Sequence, residues 1–315
     1  MSQATASRGP PGRQRRHRRV RSGSRAGAFT TWRRAAPIPA LHGRADRILH
    51  RVPAVLPGQP VGAAAVTVYF IGAGPGAADL ITVRGQRLLQ RCPVCLYAGS
   101  IMPEDLLALC PPETRILDTG PMTLDQIIGE IVAADAAGHD VARLHSGDPS
   151  LYSALAEQRR RLTAVGVEHQ VVPGVPAFAA AAAAMGLELT VPGVAQTVTL
   201  TRVATLSTAM PPGEELRALA GRGTLALHLA AAQIEHVVAE LSTGGLTPQT
   251  PVAVVAYASW PAETVVRGTL DTIADQLRAA DITKTAIIFV GEVLAAEGFV
   301  ESYLYSSGRR RGAQH

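Results

Sequence analysis

A glycine-rich segment at residues 72–77, with the sequence GAGPGA, follows a short apolar run and precedes residues at helical spacing. Glycines after a strand allow a ligand to approach the backbone, and Gly-x-Gly-x-x-Ala is the template of dinucleotide-binding loops. Two features argue against a nicotinamide dinucleotide. Pro75 has no backbone N–H to offer a pyrophosphate, and the next strand, at 94–97, ends without an acidic residue for the ribose. A tight turn without a ligand is the alternative.

Two further segments also follow predicted strands. Residues 145–152, HSGDPSLY, place Gly147 and Asp148 where a ligand could meet both a bare backbone and a carboxylate acceptor. The alternative is that Asp148 caps a helix that begins at Leu151. Residues 171–178, VVPGVPAF, lead into an alanine-rich helix, where small side chains suit either a flat ligand or close helix packing. Open α/β sheets bind ligands at the carboxyl ends of their strands, so these segments predict one common site.

The elements that must position these segments alternate along the chain between apolar runs and helical spacing, which predicts an α/β fold. The first series has strands at 68–71, 94–97, 141–145 and 169–172, and a helix at 124–132. After Pro192 and Gly193, the second has strands at 198–201, 225–229, 252–257 and 286–290, an extended stretch at 264–267, and helices at 214–220, 234–241 and 270–277. We therefore predict two α/β domains, 66–192 and 193–308, that form a cleft, the usual place for a small-molecule site.

The charge of the chain is unevenly distributed. The total of 30 Lys and Arg against 25 Asp and Glu would suggest a nucleic-acid binder, but residues 1–65 hold 13 arginines and one acid, so the remainder is acidic. The composition of 1–65 predicts disorder. A transit peptide and an RNA-binding tail are alternatives to the interpretation that we prefer, in which translation starts near Val66 and the extension is a start-site artefact. Residues 309–315 form a basic tail.

Apolar runs and cysteines narrow the class of protein. No apolar run reaches the roughly 18 residues of a membrane span, so we expect no membrane partner. The acidic charge of residues 66–315 argues against nucleic acid as a partner. Three cysteines, Cys92, Cys95 and Cys110, do not suggest a disulfide framework and favour a reducing, cytoplasmic compartment. Cys92 and Cys95 have the spacing of zinc ligands, but no second pair matches them, so no metal site is predicted.

These separated motifs, in this order, resemble the tetrapyrrole (corrin/porphyrin) methylases that use S-adenosylmethionine, and the resemblance runs from residue 66 to 305. Residues 97–107, 144–152, 258–263 and 267–270 are most similar to members that act on carbon 11 of precorrin-4 in cobalamin biosynthesis. The resemblance implies the tetrapyrrole methylase fold, S-adenosylmethionine as cofactor, a corrinoid substrate and a homodimer. It does not distinguish a metal-free substrate from one that contains cobalt.

The resemblance also implies which residues bind the methyl donor. They are Gly74, Pro75, Gly76, Ser146, Gly147, Asp148, Leu151, Pro176, Ala177, Leu229, Ala258 and Ala286. Relatives often have Thr or Ser at the position of Pro176 and Met at that of Leu229. No catalytic side chain is assigned, although Glu104, Asp105 and Asp148 are candidates for a general base. Because the substrate carries many carboxylates, Arg84 and Arg202 are predicted as its partners.

Three alternatives remain open at this point. A methyltransferase of the same superfamily could act on another corrin carbon, on ribosomal RNA or on diphthamide, although the acidic body disfavours RNA. An NAD(P)-binding oxidoreductase would use the glycine loop, against the evidence of Pro75. A non-catalytic binding module would leave the three strand-end motifs unexplained.

Overall fold

The computed structural model describes residues 66–204 and 208–303. The predicted extension at 1–65 and the basic tail at 309–315 lie outside the described residues. Ten strands of the described part form two five-stranded sheets flanked by helices, which confirms the α/β class. No helix in these ranges combines the length and the apolar character that crossing a membrane requires.

The first sheet is parallel throughout, in the order β3-β2-β4-β1-β5. Its strands are β1 (Val68–Gly72), β2 (Val94–Tyr97), β3 (Arg115–Asp118), β4 (Val141–His145) and β5 (His169–Val172). Every residue of β1 is buried, as expected of a strand covered on both faces. Because all five strands run the same way, the loops that follow β1, β4 and β5 leave the same edge of the sheet. The three predicted ligand-binding segments therefore begin on one side.

Four helices cover the two faces of this sheet. They are α1 (Val83–Leu89), α2 (Glu104–Leu107), α3 (Leu124–Ala136) and α4 (Leu155–Ala164). Leu89 and Leu106 bury one face, while Ile131 and Leu162 bury the other. A capping box, in which Thr123 and Gln126 bond each other's backbone N–H, fixes the start of α3.

The second sheet is mixed, in the order β6-β7-β10-β8-β9. Its strands are β6 (Val198–Arg202), β7 (Thr224–His228), β8 (Pro251–Ala256), β9 (Thr264–Thr269) and β10 (Ala286–Val290). Only β6 and β7 pair in parallel; β10 runs antiparallel to both of its neighbours. Ala286 at the start of β10 pairs with Ala256 at the end of β8. The start of β10 therefore lies on the same edge as the ends of β7 and β8.

The helices of the second half are α5 (Ala177–Met185), α6 (Leu216–Leu219), α7 (Ile234–Thr243) and α8 (Ile273–Ala279). The alanine helix α5 follows β5 in the chain but packs Ala181 and Met185 against Phe289 and its neighbours in the second sheet. Leu241 and Ile273 bury the opposite face of that sheet. The chain passes from the first sheet to the second between residues 172 and 198. The domain boundary predicted at 192 lies within this range and stays a prediction.

Candidate active site

The loops that follow β1 and β4 are bonded to each other through their backbones. The N–H of Gly74 donates to the carbonyl of Gly147 at 3.2 Å, and the N–H of Gly147 donates back at 2.8 Å. Both residues have positive φ, +81° and +66°, a conformation that glycine adopts without steric cost. The first two predicted segments therefore form one structural unit.

The loop after β5 closes against that unit. A Cβ atom placed on Gly174 would overlap the carbonyl oxygen of Gly147 and lie 2.7 Å from the Cα of Gly72. No side chain fits in this space without movement of the backbone. Three loops thus meet backbone to backbone at the carboxyl edge of the first sheet.

Asp148 links the loop after β4 to the loop after β5. One carboxylate oxygen accepts the N–H of Gly174 at 2.8 Å, and the other accepts the N–H of Ser150 at 2.8 Å and the Ser150 hydroxyl. Partial burial alone would raise the pKa of Asp148, but the hydrogen bonds from Ser150 and Gly174 outweigh it and lower the pKa. The alternative of a helix cap at Leu151 is wrong, because α4 begins only at Leu155, after Ala154 in a left-handed conformation.

A loop of the second sheet contacts the glycine loop. The indole N–H of Trp260 donates to the carbonyl of Pro75 at 3.0 Å, and the hydroxyl oxygen of Ser259 accepts the N–H of Ala77 at 3.0 Å. Both residues lie in the motif at 258–263, of which only Ala258 was predicted to contact the donor. The feature of the sequence that could have indicated this contact is Trp260, a large aromatic residue that follows the strand predicted at 252–257 and has mostly small neighbours.

An aromatic cluster lies at the end of β7. The ring centroid of His228 is 5.2 Å from that of Tyr152 and 6.4 Å from that of Phe178. Burial lowers the pKa of His228 to about 4, and its Nε2 has no hydrogen-bond partner. Leu229 follows with φ of 54° and 63% of its surface exposed. Strained backbone beside an exposed apolar side chain is typical of a ligand site.

The remaining predicted donor contacts lie on the same edges of the two sheets. Ser146 and Leu151 are half-buried in the loop after β4. Pro176 directly precedes α5, which begins at Ala177. Ala258 is buried in the loop after β8. Ala286 is the first residue of β10, and it lies on the edge of Leu229 and Ala258 because β10 is antiparallel to β7 and β8.

The two arginines predicted to bind substrate are not brought together by any contact. Arg84 is exposed on α1, seven residues after Ala77 in the sequence. The guanidinium of Arg202 donates to the carbonyls of Val203 at 2.8 Å and of Thr208 and Ala209 at 3.4 Å. Arg202 therefore holds the segment that follows β6. Its charge also reaches Tyr152, whose pKa is raised by burial and partly lowered again by Arg202.

The residues at these strand ends offer a ligand mainly apolar and backbone surface. The exposed side chain of Leu229 offers apolar surface, and the buried Nε2 of His228, which has no hydrogen-bond partner, lies at the end of the same strand. Among residues 66–204 and 208–303, no group of three His, Cys, Asp or Glu could hold a metal ion. The three cysteines are free thiols, and burial raises the pKa of Cys92 to about 12.

Comparison with known proteins places the chain in a family. The sequence profile of the Tetrapyrrole (Corrin/Porphyrin) Methylases matches residues 67–274. The chain is 71% identical over 245 residues to a Precorrin-4 C(11)-methyltransferase of Mycobacterium tuberculosis, covering 78% of this chain and 98% of that protein. A protein of the same name from Rhodococcus erythropolis is 62% identical over 247 residues, which is 78% of this chain and 99% of that protein.

Solved structures give the same result. A cobalt precorrin-4 methyltransferase from cobalamin biosynthesis superposes with a TM-score of 0.72 at 40% identity, covering 75% of this chain and 99% of that one. A uroporphyrin-III C-methyltransferase of Thermus thermophilus, complexed with S-adenosyl homocysteine, superposes with a TM-score of 0.62 at 30% identity, covering 72% and 93%. The chain therefore belongs to the tetrapyrrole (corrin/porphyrin) methylases.

Proposed function

We propose that this protein transfers a methyl group from S-adenosylmethionine to carbon 11 of precorrin-4, giving precorrin-5 and S-adenosylhomocysteine, in cobalamin biosynthesis. The observation that carries the proposal is the 71% identity to a protein of that activity over 98% of its length. The donor would lie at the facing edges of the two sheets. The relative that holds S-adenosyl homocysteine supports this choice of donor.

The proposed donor site combines backbone surfaces from both sheets. The first sheet would supply Gly74, Pro75, Gly76, Ser146, Gly147, Asp148, Leu151, Pro176 and Ala177, and the second Leu229, Ala258 and Ala286. The rigid contacts among the loops of Gly74, Gly147 and Gly174 support the first group. The exposed side chain and positive φ of Leu229 support the second.

Positioning is the main task of these residues. The sulfonium of the donor supplies an activated methyl group, so no nucleophilic side chain of the protein is required. Holding two reactants in attack geometry contributes roughly 7–11 kcal/mol to a rate. Backbone atoms fixed by mutual hydrogen bonds, as at Gly74 and Gly147, are suited to this role because they do not reorganise when the ligand binds.

Asp148 is a poor candidate for a general base. Its two oxygens already accept three hydrogen bonds, and its lowered pKa makes it a weak proton acceptor. Its proposed role is to hold the loops after β4 and β5 together. Glu104 and Asp105 remain candidates at the start of α2.

Arg84 is the stronger of the two candidates for binding substrate carboxylates. It is exposed on α1, close in sequence to the glycine loop, whereas Arg202 already donates to three carbonyls. A guanidinium that is free to form a two-point contact is the usual partner of a carboxylate. We further propose a cytoplasmic homodimer, in agreement with the three free cysteines for the compartment and with the family resemblance for the dimer.

The activity is tested by incubating the protein with ¹³C-methyl-labelled S-adenosylmethionine and precorrin-4, with cobalt-precorrin-4 in parallel, and locating the label by NMR. We expect the label on carbon 11. Label at another ring carbon would replace the proposed target by a different corrin position. Binding of NAD without binding of S-adenosylmethionine would support the oxidoreductase alternative instead.

Two glycine variants connect this activity to the proposed site. Gly174→Ala forces the loops apart. Because a small misplacement of the reactants can slow a reaction by about a hundredfold, we expect kcat/KM to fall by about that factor. Gly129→Ala is the matched control, because a Cβ there meets nothing within 4 Å and Gly129 lies within α3. Circular dichroism checks that both variants fold. Full activity of a folded Gly174→Ala would remove the loops from the proposed site.

A further inference from the structure

The loop between β8 and β9, residues 257–263, is termed the Trp260 loop. It holds two consecutive parts of the glycine loop at once, through Trp260 to the Pro75 carbonyl at 3.0 Å and through Ser259 to the Ala77 N–H at 3.0 Å. These contacts join residues more than 180 positions apart in the sequence. We propose that Trp260 and Ser259 are positioning residues of the methyl-donor site, which fix the glycine loop from the opposite sheet. This inference rests on the proposed function.

The Trp260 loop is itself held rigid by bonds within it. The N–H of Ser259 donates to the carboxylate of Glu263 at 2.7 Å, and the N–H of Trp260 donates to the carbonyl of Tyr257 at 2.9 Å. Tyr257 and Ser259 both have positive φ, 52° and 68°. Non-glycine residues in this region are strained, and such strain persists only where the surroundings enforce it. The loop can therefore serve as a fixed support for its partner.

The contact also explains why position 76 is glycine. A Cβ on Gly76 would overlap the indole of Trp260 and lie 2.9 Å from the Ser259 hydroxyl oxygen. Gly76 thus admits the side chain of Trp260. Pro75 and Ala258, both predicted donor contacts, directly precede Gly76 and Ser259 in the sequence. Each side of the contact therefore adjoins a predicted donor-binding residue.

Loss of one of these hydrogen bonds should weaken donor binding without unfolding the protein. Trp260→Phe removes the indole N–H and keeps an aromatic ring, and Ser259→Ala removes the acceptor of the Ala77 N–H. We expect each variant to bind S-adenosylhomocysteine about three- to tenfold more weakly, the effect of one ordinary hydrogen bond. KM for the methyl donor should rise by a similar factor, with kcat little changed.

Thr224→Val is the matched control. It removes a hydroxyl that donates to the carbonyl of Leu189 at 3.0 Å, also a side-chain bond between distant segments, but far in sequence from both loops. Calorimetric titration with S-adenosylhomocysteine should give the wild-type affinity for this variant. Equal weakening by Thr224→Val and Trp260→Phe would reduce Trp260 to a general stabiliser and overturn the proposal.

Gly76→Ala tests the direct contact. We expect this variant to bind S-adenosylhomocysteine poorly, and the double variant Gly76→Ala with Trp260→Ala to bind better than Gly76→Ala alone, because the overlap is removed. Such coupling is the signature of two residues in contact. A defect in Gly76→Ala that Trp260→Ala leaves unchanged would show that Gly76 acts on the donor without Trp260, and would overturn the proposal.

Hydrogen exchange separates this inference from the proposed function. Without any ligand, the amides of Gly76 and Ala77 should exchange faster in Trp260→Phe and Ser259→Ala than in the wild type or Thr224→Val, because the loop is released. Unchanged exchange would overturn the positioning role even if the donor binds. A wild-type protein that fails to bind S-adenosylhomocysteine would instead overturn the donor assignment, whatever the exchange shows.

Discussion

The carboxylate of Asp148 and the imidazole of His228 are two ionisable groups at the carboxyl ends of strands, and only Asp148 was among the predicted candidates for a general base. The carboxylate oxygens of Asp148 accept hydrogen bonds from Ser150 and Gly174. Burial lowers the pKa of His228 to about 4 and so keeps its imidazole neutral near pH 7. The predicted donor contacts are mostly small or apolar residues. At the scale of single residues, the site is therefore organised for positioning.

His228 should make the stability of the fold depend on pH. The unfolded imidazole takes up a proton near its ordinary pKa of about 6.5, whereas burial delays protonation in the folded state to a pKa of about 4. Between these values the unfolded state holds more protons, so stability is lost as the pH falls. His228→Phe should flatten the fall of Tm between pH 6.5 and 4.

The control for this prediction is His139→Gln, since His139 is exposed. We expect the pH dependence of its Tm to match that of the wild type. A Tm of His228→Phe that falls with pH as steeply as in the wild type would show that other groups, such as the buried His145, whose pKa is also lowered to about 3 by burial and by Arg143, account for the whole effect.

At the scale of elements, apolar runs predicted the strands well and the short helices less well. The strands predicted at 94–97, 141–145, 169–172 and 286–290 have these bounds in the structure. The strand β3 was missed because Arg115 and Asp118 flank only two apolar residues at an exposed edge. The helix predicted at 214–220 is only Leu216–Leu219, since tertiary packing, and not spacing alone, sets the length of such short helices.

Helix α5 shows how side-chain size fixes the distance between elements. Ala181 is completely buried against the second sheet, whereas Ala183 in the same helix is exposed. Ala181→Leu should lower the free energy of unfolding by about 1–3 kcal/mol through overpacking. Ala183→Leu should leave it nearly unchanged, because leucine is a good helix former.

Denaturant titration of the two variants measures this difference. Because α5 begins at Ala177 beside the loop of Gly174, donor affinity should fall in Ala181→Leu together with stability. Equal stability of the two leucine variants would contradict the packing of α5 on the second sheet.

At the scale of the whole molecule, the charge of the chain changes sign close to the residue at which the family profile begins. Residues 1–65 are strongly basic, with 13 arginines and one acid, and the remaining sequence is acidic. The family profile begins at residue 67. The positive total charge therefore says nothing about the ligand of the folded part.

Removal of residues 1–65 should leave catalysis intact. A chain that starts at residue 66 retains both sheets, all predicted donor contacts and the Trp260 loop. We expect the kcat and KM of this shortened chain for both substrates to equal those of the full chain, measured by methyl transfer at the same ionic strength. A raised KM for the polyanionic substrate in the shortened chain alone would assign the arginines of the extension a role in substrate capture.

The sequence by itself determined the α/β class, the positions of most strands and the three segments at strand ends, because these depend on local apolar runs and on glycine and proline. The family resemblance added the donor and the substrate. Only the tertiary structure decided that β10 runs antiparallel, which brings Ala286 to the edge of Leu229 and Ala258. It alone paired Asp148 with Gly174 and Trp260 with Pro75. Contacts between residues so far apart in the chain depend on strand order and loop packing, which no local pattern specifies.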